Sequence, residues 1–180
     1  MATIITHAVV GAGLSAFSSK DVPKTKLAVL LAIVAMIPDA DFVGFHLGIS
    51  YGDMLGHRAF THSIAFLFLV ACLVPPWFFR RSKGNWIAIG VLTFVASASH
   101  GVLDAFTNAG LGVGFLIPFD DTRYFAWSRP IETSLLSVER FFTQRGVSVF
   151  QNELLYILLP LVSAVAVWLL LRRWLNRGGT

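Results

Sequence analysis

"LLYILLPLVSAVAVWLLL", Leu154–Leu171, contains no charged residue. At about 1.5 Å of rise per residue it covers most of a hydrocarbon layer about 30 Å thick. It ends in "RRWLNRGG", a basic flank of the kind that holds a helix end on the cytoplasmic side. The whole chain shares this bias. Of its 180 residues, 56% are hydrophobic and 13% charged, and the mean hydropathy is +0.71. Soluble domains carry about 25% charged residues. The composition is that of a membrane protein, and the length suits one integral-membrane domain over residues 1–180.

The net charge of +4 and pI near 9.6 do not point to nucleic acid. Lys and Arg fall in short clusters beside apolar runs, without the interleaved aromatics of a nucleic-acid surface. No nucleic-acid partner is expected. Cys72 stands alone in an apolar run, so it has no intrachain disulfide partner. The opening "MATIITHAVVGAGLSAF" lacks the positive start of a secretory signal and reads as a retained first helix.

Four further apolar segments precede Leu154–Leu171. They are Ile4–Phe17, Leu27–Ile37 ending at Pro38, Thr61–Phe79 with Pro75 and Pro76 near its end, and Trp86–Phe106. These predict an all-α polytopic bundle of about five transmembrane or half-membrane helices. The third, fourth and fifth are long enough to span, and the first two are short. The long connection Ala109–Glu153 is Gly-rich at first, then polar and aromatic. Within it, "ETSLLSVERFF", Glu132–Phe142, predicts an amphipathic interfacial helix.

Basic residues in short loops set the orientation. Lys20, Lys24 and Lys26 follow the first segment, Arg80, Arg81 and Lys83 the third, and Arg172, Arg173 and Arg177 the fifth. Five crossings place all three clusters, and the C-terminus, in the cytoplasm. The 39–63 connection and the long Ala109–Glu153 loop then lie on the outer side.

The ionisable residues of the apolar segments gather toward that outer side. They are His7 on the first, Asp39 and Asp41 after the second, His57 and His62 before the third, and His100 and Asp104 near the end of the fourth. Ionisable groups at membrane depth are costly and mark functional sites. "HGVLD" places His100 and Asp104 at i and i+4, on one helical face. "PDAD" places Asp39 and Asp41 where Pro38 disturbs the helix, so that one can bind a metal while the other orients a ligand or acts as a base. The histidines of "HRAFTHS", His57–Ser63, would stand roughly 140° apart on a helix. His62 is therefore expected on the helix and His57 in the preceding loop, with Thr61 as an N-cap or an orienting partner.

This pattern predicts a metal site with His7, Asp39, His62, His100 and Asp104 as ligands. Asp41 or His57 would serve as general acid or base. Such N and O ligands suit Zn²⁺ best, with Mn²⁺ or Fe²⁺ as alternatives, and their number allows one or two ions.

Five elements carry a resemblance: "TH" near the N-terminus, "PDAD", "HRAFTHS", "HGVLD", and "PFDDTRYF" followed by "RPI". In this order, over nearly the whole chain, they resemble the YdjM-like inner-membrane family. That family is described as LexA-binding and as a membrane-bound metal-dependent hydrolase. The resemblance implies a multi-pass protein of the bacterial inner membrane. His7, Asp39, Asp41, His57, His62, His100 and Asp104 match the family's polar positions. The order is also similar, more loosely, to zinc-dependent phospholipase C, whose ligands include an HxxxD pair. Nothing in the sequence looks like a soluble domain for binding LexA.

A metal site at the outer interface suits hydrolysis of a phosphoester in a lipid or lipid-linked substrate. Arg58 and Arg123 are the candidate phosphate contacts. Arg123 is equally suited to anchoring the interface beside Tyr124, Phe125 and Trp127. Asp120, Asp121 and Glu132 are further polar residues of the same loop. The alternative is a non-enzymatic metal-binding membrane protein, either a carrier or a scaffold. Few polar residues occupy the inner halves of the segments, which counts against a carrier.

Overall fold

The computed structural model describes residues 1–79, 86–134 and 142–177. The architecture is an all-α membrane helix bundle, with no strand among the described residues beyond two isolated bridges. Helix α1 is Ile4–Gly13, capped by the Thr3 side chain, and a 3-10 turn extends it over Leu14–Phe17. Helix α2 is Lys24–Met36, followed by a 3-10 turn over Ile37–Phe42 and the short α3, Val43–His46. Helices α4 and α5 are Ile64–Phe78 and Trp86–Ala105. The chain closes with α6, Gln144–Glu153, a π-helical turn over Leu154–Leu158, and α7, Leu159–Arg177.

Three stretches are long and apolar enough to cross a membrane: Lys24–His46, Trp86–Ala105 and Gln144–Asn176. Two sequence expectations are corrected here. The second segment is not short. Pro38 tightens the helix into a 3-10 turn instead of ending it, so the helical run reaches 23 residues. The third segment is shorter than expected, because Phe60–His62 forms a separate 3-10 turn and Ser63, not Thr61, caps α4. The interfacial helix expected over Glu132–Phe142 falls largely on 135–141, outside the described residues. A helix that the sequence did not announce, α6, leads directly into the last apolar run. The π turn sits just before Pro160, whose ring excludes the carbonyl four residues earlier and whose missing N–H removes a helix bond.

Helix α2 is central. Leu27, Leu30, Leu31 and Val34 pack with Val70 of α4 and with Ile89 and Ala96 of α5. Helix α1 crosses α2 closely at Gly11, where an added Cβ would stand 2.3 Å from the Leu31 carbonyl oxygen and 2.7 Å from Ala35 Cβ. Even Gly11→Ala must push the helices apart. It is expected to cost about 1–3 kcal/mol, read as a lower midpoint in thermal unfolding of the detergent-solubilised protein. An unchanged midpoint would show that the crossing tolerates separation. By contrast, the apolar window of the Gln144–Asn176 stretch is only 6% buried, which leaves its side chains to lipid.

The connection after α5 folds back over the bundle. Val113 pairs with Tyr124, and Thr107 with Ile131. The Gly114 N–H donates to the Arg58 carbonyl at 2.8 Å, and the Ile64 N–H to the Phe115 carbonyl at 2.9 Å. The loop thereby covers the segment that carries "HRAFTHS".

Candidate metal centre

Four elements bring their polar residues to one buried point. The tightened turn after Pro38 turns both Asp39 and Asp41 inward. Helix α5 brings His100 and Asp104, α1 brings His7, and the 3-10 turn before α4 brings His62. His7, His62, His100 and Asp104 are wholly buried. His62 therefore stands just ahead of α4 and not on it, which corrects the sequence expectation.

Two histidines are held by one ring nitrogen and leave the other free. His100 Nδ1 lies 2.7 Å from the Ala35 carbonyl, to which it donates. Its Nε2 then faces Asp39 Oδ1 at 3.2 Å and Asp104 Oδ2 at 3.9 Å. His62 Nδ1 lies 3.3 Å from Asp41 Oδ2, and its Nε2 lies 3.9 Å from Asp104 Oδ2. An outer partner on one nitrogen fixes tautomer and ring orientation in metal-binding histidines. His7 stacks on His100, with ring centroids 3.7 Å apart, and its Nε2 is 3.6 Å from Asp104 Oδ1.

Asp39, His62, His100 and Asp104 can each offer one ligand atom with all four atoms within 4.8 Å of one another. Both ring nitrogens of His7, both oxygens of Asp39, and Nε2 of His62 and of His100 have no hydrogen-bond partner, while Oδ2 of Asp104 has only the Arg58 guanidinium beside it, as an ion pair. Buried polar atoms are rarely left so, because each costs free energy unless satisfied. Their convergence on one point is what a bound cation would satisfy, and the imidazole and carboxylate donors fit a divalent transition metal.

Asp39, Asp41 and His57 form a second close group. Here Asp41 is already engaged. Its Oδ1 lies 2.7 Å from His57 Nδ1, and its Oδ2 accepts from the Arg58 N–H at 3.1 Å and the Thr61 hydroxyl at 2.7 Å. Asp41 is thus built to hold His57 and His62, with Thr61 as their orienting partner. The edge of Tyr51 packs on His57 at 5.3 Å, and burial raises the Tyr51 phenol above its ordinary pKa.

The two arginines behave differently from one another. Arg58, at φ 63°, is buried, with Nε 3.0 Å from Asp104 Oδ2. Its remaining nitrogens donate to the Ala109 carbonyl at 3.0 Å and the Thr107 hydroxyl at 2.9 Å. Its guanidinium faces inward, not toward a lipid phosphate. Arg123 is half-buried and, among the described residues, donates only to backbone carbonyls, to His57 at 3.0 Å and to Tyr51, Gly52 and Asp53 at 3.2–3.4 Å.

The sequence pattern of the family described as "YdjM inner membrane protein" matches residues 1–177. The chain belongs to the YdjM family. It is 38% identical over 164 residues to the inner membrane protein YbcI of Escherichia coli (strain K12), covering 89% of this chain and 92% of that protein. No solved structure matches it.

In this YdjM-family protein the other loop acids stand apart from the centre. Asp120 accepts from the Thr122 N–H and hydroxyl, which holds it below the usual carboxylate range, and Glu132 accepts from Ser148. Asp121 lines a separate surface cavity. Two contributors escaped the sequence reading. The Ala35 carbonyl has no sequence signal. Glu153 has one: it is the acid that immediately precedes the longest apolar run. It is wholly buried and accepts from the Thr3 N–H and, at 2.6 Å each, from the Thr3 and Thr6 hydroxyls, pinning the start of α1 below His7.

Proposed function

We propose that this protein is a metal-dependent hydrolase of the inner membrane, acting at the outer interface on a phosphoester of a lipid or lipid-linked substrate. The observation that carries the proposal is the convergence of His62 Nε2, His100 Nε2 and both Asp39 oxygens, which have no hydrogen-bond partner, on the buried Asp104 carboxylate, with both histidines anchored through Nδ1. These four residues would hold the metal, with His7 at its edge and Zn²⁺ the best match to the donors. The metal would supply Lewis acidity toward water and toward a phosphoryl oxygen. His57 is the proton carrier, its ring held in place by Asp41 Oδ1 at 2.7 Å. Asp41 orients, and Arg58 steadies Asp104. The basic clusters support an outer-facing centre with a cytoplasmic C-terminus. A carrier is disfavoured because apolar side chains, among them Leu30, Val34, Ile89 and Ala96, fill the bundle between α2 and α5.

Protein purified without chelators is expected to hold one or two equivalents of transition metal by elemental analysis. Loaded protein should release a phosphorylated head group from a panel of phospholipids and lipid-linked phosphates, and His62→Ala should abolish this. Folded protein that takes up neither zinc nor manganese would sink the metal, and equal turnover in His62→Ala would remove the residue from the site. Cysteines placed at Lys24 and Asp120 should be labelled from opposite sides of the membrane. Labelling from one side overturns the orientation.

A further inference from the structure

The outer loop and the 51–54 turn enclose a cavity of about 500 Å³ whose walls are Met54, Leu111, Ile117 and Pro118 and whose charged residues are Asp121 and Arg123. The two charges are opposite and make no ion-pair contact with each other among the described residues. Arg123 contacts four carbonyl oxygens but no carboxylate, so no counter-ion touches its guanidinium among the described residues. Asp121 has no hydrogen bond or ion pair among the described residues and is exposed. The cavity adjoins the centre, since Arg123 is bonded to the His57 carbonyl.

The rim of this loop carries apolar rings that water does not favour. Phe119 is 89% exposed and Trp127 is 93% exposed, while Arg129 lies over the Phe125 ring at 4.6 Å. Exposed Trp and Phe beside arginine are the side chains that settle at the headgroup level of a bilayer. Phe119 directly follows the wall residue Pro118, so the cavity and an exposed ring of this kind belong to one stretch of chain.

We propose that this cavity binds a zwitterionic phospholipid head group that carries a primary ammonium, with Arg123 meeting the phosphate and Asp121 the ammonium. A guanidinium suits phosphate oxygens, and a carboxylate accepts the N–H bonds of a primary amine. A quaternary ammonium has no N–H to give and is recognised by aromatic cages, and no aromatic side chain is among the residues that line this cavity. A glycerol head group can give Asp121 hydroxyl hydrogen bonds but no positive charge, and so meets the carboxylate less well than an ammonium does. That this lipid is also the substrate rests on the hydrolase reading, whereas its binding does not.

The test uses the full chain as purified, in detergent, with equimolar phosphatidylethanolamine, phosphatidylcholine and phosphatidylglycerol added in the cold just before measurement. Native mass spectrometry counts the lipids retained. Phosphatidylethanolamine should be retained about tenfold over the other two, the size of one charge-assisted bond pair. Asp121→Asn, an exposed position that leaves the fold intact, should bring ethanolamine and choline lipids to parity. Arg123→Lys, which keeps the charge but loses the fork, should weaken retention of all three. Equal retention in the native chain, a preference for the glycerol lipid, or an ethanolamine preference that survives Asp121→Asn would each overturn the proposal. Retention as expected with no turnover after metal loading would leave the binding site standing and sink the hydrolase reading.

Discussion

Asp104→Ala is expected to do the most damage of any single change, because Asp104 has two roles. It offers a carboxylate oxygen to the group that could hold a metal, and it is the carboxylate partner of buried Arg58 at 3.0 Å. Removing one member of a buried ion pair leaves a charge without compensation and costs about 3–5 kcal/mol. Unfolding of the detergent-solubilised variant should shift accordingly, and elemental analysis should find the metal lost. Adding Arg58→Met to Asp104→Ala separates the two roles. The double variant has no stranded guanidinium and should regain much of the stability while still failing to bind metal. A single variant that keeps both stability and metal would show that neither role is real.

The second large effect is expected at Glu153. Glu153→Leu leaves the Thr3 N–H and the Thr3 and Thr6 hydroxyls without their acceptor in a buried place. A stranded buried donor costs about 1–3 kcal/mol, and the hydroxyls can turn elsewhere, so the sum should be about 2–4 kcal/mol. The loss should be local. Hydrogen exchange should speed up across the first turns of α1, and metal affinity should fall because His7 rides on that helix. Glu153→Gln keeps one carbonyl oxygen and should suffer less. Exchange in α1 that is indifferent to both variants would mean that the helix start is held by packing alone.

The apolar segments and most of the centre were readable in the sequence because both follow helix geometry. The i and i+4 spacing of His100 and Asp104 fixes their shared face, and the position of each acid or histidine at a segment end fixes which end of the bundle it joins. What resisted reading was backbone that leaves the regular helix. Pro38 looked like a stop and is a tightening, which lengthens the second run. The 3-10 turn at Phe60–His62 moves His62 off α4 and moves the cap to Ser63. Asp41 and His57 were read as alternative acid–base groups, yet they are bonded to one another, a relation across sixteen residues that no local spacing encodes. Arg58 resembled a surface phosphate contact because arginine usually stays near water, and its left-handed backbone turns it inward.

That inward arginine sets the electrostatic balance of the centre. Asp39, Asp41 and Asp104 bring three negative charges, Arg58 brings one positive charge, and the histidines in their metal-binding form bring none. Two negative charges are left over in a region from which water is excluded, where an unbalanced charge is most expensive. One divalent cation would cancel them, which favours one ion over two. Without Arg58 the same ion would leave a deficit, and with a monovalent ion the centre would stay negative. The charge balance of these groups thus favours a divalent over a monovalent cation, and Arg58 sets that balance from outside the group that could hold the ion.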